Sequence, residues 1–147
     1  MKDTIPENTP PISASDYGRG LRGIGFNLLV SDVPRAVAFA TDVLGATRFF
    51  ANDGFAAMKI YGCDFMFHAD HAYRGNALIG LVAGLEGRGA GVELRVYGCD
   101  PDVAEANARA GGWTVLAGSL DKPHGLRECI ILDDEGYAWV PGVAIGD

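Results

Sequence analysis

The chain has 147 residues, of which 48% are hydrophobic and 21% charged, a composition typical of one globular domain rather than a disordered segment. Its formal net charge of −7 opposes binding to phosphate backbones, so we expect no nucleic-acid partner, whereas a cationic ligand would be attracted. No apolar run approaches the roughly 18 residues of a membrane helix, and the N-terminus lacks the apolar core of a signal peptide. We therefore expect a cytoplasmic protein without membrane contact.

Residues 1–21 are polar and rich in proline, and we interpret them as an extended N-terminal arm ahead of one folded domain at 22–143. The three cysteines, Cys63, Cys99 and Cys129, are odd in number and widely spaced. That pattern argues against a disulfide framework and against a zinc knuckle, which needs closely spaced pairs. We expect all three to be small buried residues in a reducing compartment.

The folded part begins with a strand, a helix and a second strand. In the stretch GIGFNLLV, the apolar residues Phe26, Leu28 and Val30 occupy every second position, which predicts a strand. Asp32 is a residue type that caps helix N-termini, and Gly45 is one that ends helices. The apolar residues between them follow helical spacing, so we predict a helix there.

The same plan recurs 66 residues later. Val96 corresponds to Val30 and Gly111 to Gly45, so one offset relates both a strand and a helix end. An equal offset at two features indicates an internal duplication. Two further strands with a turn between them follow each unit, giving two β-α-β-β-β modules. The predicted bounds are about 22–68 and 90–143 for the modules and 69–89 for the connector.

The chain resembles the glyoxalase/bleomycin resistance/extradiol dioxygenase family, also called vicinal oxygen chelate proteins, in the stretches NLLVSDVPRAVAFATDVLG, GVELRVYG with EANARAGG, and KPHGLRECIILDDEGYAWV. The last stretch is similar to the family's Pro-Trp-Gly-x-Arg-Glu…Asp-Pro-Asp-Gly-Asn pattern. The resemblance implies an α+β fold in which two βαβββ modules form a cup-shaped mixed β-sheet around a pocket. It also implies a homodimer, because many members build their pockets from two chains.

The resemblance also locates the family's metal ligands, one near the start of each module's first strand and one in each module's last strand. These positions hold Gly25, Met66, Gly91 and Val140. Glycine and valine offer no donor atom and methionine only a weak one, whereas divalent metals need nitrogen, carboxylate or thiolate donors. We therefore expect no metal cofactor.

A relocated metal site is the alternative. Its candidate ligands are His68, Glu93, Glu128 and His124, provided that strand alternation turns them toward the pocket. Such a site would make the chain a metal-dependent lyase, isomerase or dioxygenase-like enzyme. A nearby Arg95 would oppose a bound cation. Metal-free acid–base chemistry by Glu93 or His124 is a third hypothesis.

Without a metal, the pocket itself is the expected functional site. Phe55 resembles an aromatic position of drug-sequestering family members, where flat ligand rings stack; ordinary packing is the alternative. His124 stands where the family commonly has tryptophan, and Asn27 can orient a ligand amide or carbonyl. Arg127 and Glu128 match the family's Arg-Glu pair, so either side chain can face the pocket, and an ion pair across strands is the alternative.

The sequence thus predicts a metal-free small-molecule-binding protein of the drug-sequestering type. The expected ligand is aromatic or cationic, and antibiotics of the bleomycin type are the family precedent. No catalytic residue is assigned. The residues expected to bind the ligand are Asn27, Phe55, Met66, His68, Glu93, Arg95, His124, Arg127 and Glu128.

Overall fold

The computed structural model describes residues 10–82 and 84–146 of the chain. Its helices are α1 (Ala14–Gly20), α2 (Val33–Asp42), α3 (Ile79–Val82) and α4 (Pro101–Ala110), with a 3-10 turn at Asp70–Tyr73. Its strands are β1 (Asn27–Val30), β2 (Thr47–Ala51), β3 (Phe55–Ile60), β4 (Cys63–Ala69), β5 (Glu93–Tyr97), β6 (Thr114–Asp121), β7 (Leu126–Leu132) and β8 (Ala138–Ala144). The described residues group into two compact units, 10–37 with 46–82 and 38–45 with 84–146.

The first unit contains a four-stranded sheet in the order β1-β4-β3-β2. β1 runs parallel to β4, and the other neighbouring strands are antiparallel. Along β4, Phe65 and Phe67 are buried whereas Met66 and His68 are half-buried, which is the alternation of a strand with one covered face. Half-buried residues are ladder partners on neighbouring strands: Asn27 pairs with Met66, and Phe55 pairs with His68. We call the surface formed by Asn27, Phe55, Met66 and His68 the first face.

The second unit contains a four-stranded sheet in the order β5-β8-β7-β6, with β5 parallel to β8. Helix α4 packs against this sheet, and its Ala104 and Ala108 are buried. The Cys129 thiol lies 3.6 Å from the carbonyl oxygen of Pro101 in α4, so Glu128, its neighbour in β7, points to the opposite side. We call the surface formed by Glu93, Arg95, Tyr97 and Glu128 the second face.

Both units follow the order strand, helix and three strands, so the predicted α+β fold with two βαβββ modules is confirmed. Helix α2 begins directly after the predicted cap Asp32, and α4 begins in the same way after Asp100. Asp32 accepts a hydrogen bond from the backbone N–H of Arg35 at 3.0 Å, and Asp100 accepts one from that of Asp102 at 2.9 Å. These carboxylates satisfy N–H groups that lack a partner within the helix.

The second unit has an aromatic core that includes the end of α2. Trp139 is fully buried, and its ring lies 6.0 Å from that of Phe39 in α2. The Phe39 ring also meets Trp113 edge-on at 5.4 Å. The Trp139 indole N–H donates to the Asp133 carboxylate at 3.0 Å. The polar end of this large ring is therefore satisfied inside the core.

The turn between β7 and β8 is fixed by its own side chains. Asp133 accepts hydrogen bonds from the backbone N–H groups of Glu135 and Tyr137, both at 3.0 Å. Gly136 has φ +86°, and a Cβ there would lie 2.6 Å from the Cα of Gly87. Only glycine fits this close approach, so the acidic glycine-containing stretch is a structural turn.

The N-terminal arm differs from the prediction of an extended segment. Residues 1–9 lie outside the described residues, but 14–20 form helix α1, whose first turn is capped by the Ser13 hydroxyl accepting from the Asp16 N–H at 3.1 Å. Tyr17 stacks on the Phe49 ring of β2 at a centroid distance of 5.7 Å. Burial, and then the nearby Asp64, raises the pKa of Tyr17. The helix is therefore held to the first unit through one aromatic side chain.

The cysteines also depart in part from expectation. Cys99 and Cys129 are buried, as predicted, but Cys63 is exposed. Cys63 begins β4 directly after a tight turn in which Tyr61 and Gly62 both adopt positive φ. A position beside a sharp turn leaves its side chain at the surface. Within the described ranges, no helix has the length and hydropathy to cross a membrane.

Candidate functional site

The first face carries a hydrogen-bonded group centred on Asn27. The Asn27 side-chain nitrogen donates to the Tyr73 hydroxyl at 2.6 Å, and its oxygen lies 2.6 Å from Nδ1 of His68. β1 and β4 bring Asn27 and His68 together, and the 3-10 turn after β4 returns Tyr73 to the same place. With Phe55 these residues form what we call the Asn27 cluster.

Aromatic rings enclose His68 on two sides. Its ring centroid lies 4.8 Å from that of Phe55 and 4.9 Å from that of Tyr73. Phe55 is the ladder partner of His68, so the contact follows directly from strand register. Burial lowers the pKa of His68, which favours the neutral imidazole at physiological pH.

A hollow of about 540 Å³ adjoins the Asn27 cluster. Residues 21–27, 62–64 and Met66 line it, so its walls come from the segment that leads into β1 and from the start of β4. Asn27 belongs to both the hollow and the cluster. The exposed thiol of Cys63 lies in the lining, as does Asp64, whose carboxylate pairs with Lys59 at 2.6 Å. This volume is typical of small-molecule sites.

Strand register changes the assignment of one predicted metal position. Strands β5 and β8 pair Arg95 with Val140, and strands β1 and β4 pair Leu29 with His68. Leu29 precedes Arg95 by 66 residues, which is the offset between the two modules. By that offset the counterpart of Val140 is His68, not Met66. One donor residue therefore stands at a metal-ligand position of the first module, although a single histidine does not make a divalent site.

The second face is occupied by an ionic group that we call the Arg95 network. The Arg95 guanidinium donates to Glu93 at 2.9 Å and also to Glu128. Its Nε donates to the Tyr97 hydroxyl at 3.1 Å. His124, in the loop before β7, places Nε2 3.2 Å from the Glu128 carboxylate. The network thus contains four of the predicted site residues: Arg95 binds Glu93 and Glu128, and His124 joins through Glu128.

Charge pairing dominates the protonation states in the Arg95 network. Burial tends to raise the pKa of Glu128, but hydrogen bonds from His124 and Arg95 outweigh it and lower that pKa below its usual value. Burial likewise tends to lower the pKa of Arg95, while hydrogen bonds to its three partners raise it overall. Both groups therefore stay ionised, and the guanidinium has its donors directed at protein acceptors.

Arg127 lies away from the other predicted site residues of the second unit. Its guanidinium donates to Asp102 of α4 through two bonds of 2.9 Å and to Asp121 at 3.0 Å. Because side chains alternate along β7, Glu128 joins the second face while Arg127 points to the helix side. Of the Arg-Glu pair in the sequence, only the glutamate belongs to the second face.

The donor set does not fit the fold family's metal. Gly25, Gly91 and Val140 supply no ligand atom, and Gly25 and Gly91 have open space where a Cβ would stand. Across residues 10–82 and 84–146, no three His, Cys, Asp or Glu side chains are grouped so as to hold a metal ion. The proposed relocated ligands Glu93 and Glu128 instead share Arg95.

Three contributing residues were missed by sequence reasoning. Tyr97 lies two positions after Arg95 in one strand, so alternation alone would have placed it on the second face. Cys63 and Tyr73 gave no comparable signal, because an exposed thiol beside a turn and a tyrosine in a connector have no periodic pattern.

No protein-family model matches the chain, and no curated protein matches it. Solved structures do. A glyoxalase/bleomycin resistance protein/dioxygenase from Nocardioides is 21% identical, covers 89% of this chain and 91% of its own, and has a TM-score of 0.63. A family enzyme from Burkholderia phytofirmans PsJN is 18% identical (82% and 97%, TM-score 0.66), and a glyoxalase-related enzyme from Fulvimarina pelagi is 15% identical (84% and 88%, TM-score 0.66). At these identities the likeness establishes the fold, which is the one that the motifs predicted.

Proposed function

We propose that this chain, whose fold is that of the glyoxalase/bleomycin resistance/dioxygenase superfamily, binds a flat aromatic small molecule at its first face without a metal ion. The lining of the hollow carries the proposal. Gly25, which stands at a position where the family resemblance places a metal ligand, lines a space of about 540 Å³ together with Met66. Neither residue offers the donor that a divalent ion prefers, so the space suits an organic ligand.

Aromatic residues beside the hollow support a flat ligand. Asn27 connects the hollow to the rings of Phe55, His68 and Tyr73. Phe55 is half-buried, and we propose that its ring stacks on a ligand that extends from the hollow past Asn27. Offset and edge-on ring contacts add binding free energy beyond buried area, about 0.5–1.5 kcal/mol each.

Charge supports a cationic ligand over an anionic one. The net charge of −7 attracts cations at long range. Within the lining, Nη1 of Arg22 donates to the backbone carbonyls of Arg19 and Leu21, both at 2.7 Å. This nitrogen is therefore engaged within the protein rather than directed at an anionic ligand. Two of the similar structures include glyoxalase/bleomycin resistance in their descriptions, and we propose a drug-sequestering role of the same general kind.

The contacts of two candidate ligands disfavour the enzyme hypothesis with a relocated metal site. Glu93 and Glu128 are bridged by the Arg95 guanidinium, which puts a positive charge where a metal would have to bind. At Glu93 and Glu128, a metal would have to displace the guanidinium before binding. His68 bonds Asn27 through Nδ1, so it could offer a metal only Nε2.

We also propose that the protein is a cytoplasmic homodimer. The family resemblance supports the dimer, and three free cysteines support a reducing compartment. Light scattering after size exclusion should give twice the mass of one chain at micromolar concentration. A monomeric mass across that range would contradict the dimer, and recovery in an extracytoplasmic fraction would contradict the location.

The exposed thiol of Cys63 provides a direct test of the binding site. It lines the hollow, whereas Cys99 and Cys129 are buried, so a water-soluble disulfide reagent should modify Cys63 first. We would measure that rate with the full chain and a metal-free bleomycin-type antibiotic, a planar cationic acridine dye or a planar aromatic sulfonate. We expect the cationic dye to slow modification at least tenfold at saturation and the sulfonate to have the weakest effect.

Thermal unfolding gives the companion measurement. A ligand present at 100 times its Kd stabilises the native state by about 2.7 kcal/mol, which raises the Tm by several degrees. A rise in Tm without protection of Cys63 would locate binding elsewhere and overturn the site. No protection and no rise with any of the three compounds would overturn the proposed function.

Metal content tests the metal-free part separately. The tag-free protein would be equilibrated with nickel, manganese, zinc or iron(II) and then dialysed. We expect well below one retained ion per chain, because three of the four ligand positions carry no donor. Retention of about one ion per chain would overturn the metal-free proposal and favour an enzyme.

A further inference from the structure

Asn27 is the polar side chain through which the Asn27 cluster reaches the hollow. It is the first residue of β1, it lines the hollow, and its ladder partner Met66 lines it too. An asparagine amide carries one acceptor oxygen and two N–H donors. Which of these atoms a ligand meets depends on how the amide is oriented.

Both ends of the Asn27 amide are already held. Nδ2 donates one hydrogen to the Tyr73 hydroxyl at 2.6 Å, and Oδ1 lies 2.6 Å from Nδ1 of His68. A carbonyl oxygen can only accept, so His68 must carry a proton on Nδ1. These two bonds do not use the second Nδ2 hydrogen of Asn27.

The residues that hold Asn27 are themselves restrained. The His68 ring is enclosed between Phe55 and Tyr73, with centroids at 4.8 and 4.9 Å. His68 and Tyr73 are not among the described residues that line the hollow. They contact Asn27 without lining the hollow, and supporting contacts of this kind fix a recognition group in one rotamer.

We propose that Asn27 determines the ligand specificity of the hollow as a hydrogen-bond donor, and that His68 and Tyr73 are positioning residues that fix its polarity. This inference rests on the proposed function. It narrows the ligand class to planar aromatic compounds that present an acceptor, such as a ring nitrogen or a carbonyl, at the edge that meets β1. A ligand presenting only a donor there would face a carbonyl oxygen that His68 already engages.

A matched pair of probes tests the specificity. Quinoline and naphthalene have the same shape and differ by one acceptor nitrogen, and quinoline is neutral at pH 8. We expect the wild-type chain to bind quinoline at least tenfold more tightly, measured by protection of Cys63. Asn27→Asp keeps the side-chain shape but removes the donor, so it should abolish the preference. A preference that survives in Asn27→Asp would overturn the inference.

Variants of His68 test positioning. His68→Phe keeps a planar ring between Phe55 and Tyr73 but removes the N–H, and we expect it to reduce the quinoline preference at least threefold. His68→Asn places an amide N–H where Nδ1 stands and should restore the preference. Equal behaviour of His68→Phe and His68→Asn would show that the ring only packs, and would overturn the positioning role.

Nitrogen NMR of the unmodified chain provides a readout that does not depend on any variant folding. We expect long-range correlations that identify His68 as the tautomer protonated at Nδ1. Protonation at Nε2 would mean the opposite amide orientation and would overturn the inference.

The protection measurement separates this inference from the proposed function. If quinoline and naphthalene protect Cys63 equally, this inference fails while the proposed function stands. If neither protects Cys63 and the dyes also fail, the proposed function fails.

Discussion

The two sheets share one strand order, but the first and second faces differ in chemistry. On the first face, a histidine, an asparagine and aromatic rings adjoin a hollow of about 540 Å³. On the second face, Arg95 engages two carboxylates and a tyrosine hydroxyl within the protein. The first face places the Asn27 amide beside open space, whereas the second directs the Arg95 donors at its own residues.

The difference shows how a duplicated fold can divide its tasks. Both modules hold their sheets by the same backbone ladder, so side chains on the exposed faces are free to diverge. His68 and Val140 are register counterparts, yet one is a polar ring in a cluster and the other is a buried apolar residue. Under the proposed function, the first face serves recognition, whereas the second face stabilises its unit.

The largest expected effect comes from breaking the Arg95 network. Glu128 is nearly buried, with 9% of its side chain exposed, and Glu128→Ala would leave Arg95 short of its most enclosed partner. We expect the free energy of unfolding to fall by about 3 kcal/mol, measured by urea denaturation. Glu93→Ala is the control, because Glu93 is 52% exposed and its pair is worth about 1 kcal/mol or less. Equal losses in both variants would contradict a role specific to Glu128.

The second prediction concerns the pH dependence of the same network. The folded-state pKa of Glu128 is lowered, so its stabilisation is present above the ordinary glutamate pKa of about 4.3 and is lost as pH falls through the folded-state value. The difference in unfolding free energy between wild type and Glu128→Gln should therefore be larger at pH 7 than at pH 3. A constant difference across that range would contradict the charged role of Glu128.

The fold could be predicted from the sequence because its signals are local. Asp32 caps its helix as its position predicts, and the equal spacing of Val30 and Val96 reflects two modules with the same strand order. The expectation of an extended arm failed at α1, because a seven-residue helix held by Ser13 and one aromatic contact carries almost no periodic pattern.

The candidate site could be predicted only in part. Alternation along β4 places His68 on the same side as Met66, and register makes it a neighbour of Asn27 and Phe55. Alternation also separates Arg127 from Glu128, but it cannot tell which of them joins the second face. That choice depends on Asp102 in α4, which pairs with Arg127. The strand pattern carries no information about the position of this helix residue.

The third prediction compares one aromatic residue from each face. Phe55→Ala should weaken binding of a planar ligand about tenfold, because a ring contact contributes roughly 0.5–1.5 kcal/mol and its buried area adds to this. Tyr97→Ala on the second face is the matched control and should leave the affinity unchanged. Calorimetric titration of both variants measures the difference. Equal weakening would mean that the ligand does not distinguish the two faces.

The smallest expected effect comes from one substitution made in both units, and its sign should differ between them. The Tyr17 hydroxyl is buried and has no hydrogen-bond partner among the described residues, so Tyr17→Phe removes a desolvation cost and should raise the free energy of unfolding by up to about 1 kcal/mol. The Tyr97 hydroxyl accepts from Arg95 at 3.1 Å, so Tyr97→Phe should lower it by about 0.5–1 kcal/mol. Urea denaturation of both variants resolves the sign. A loss of stability in Tyr17→Phe would mean that its hydroxyl is satisfied, and the contrast between the two units would then weaken.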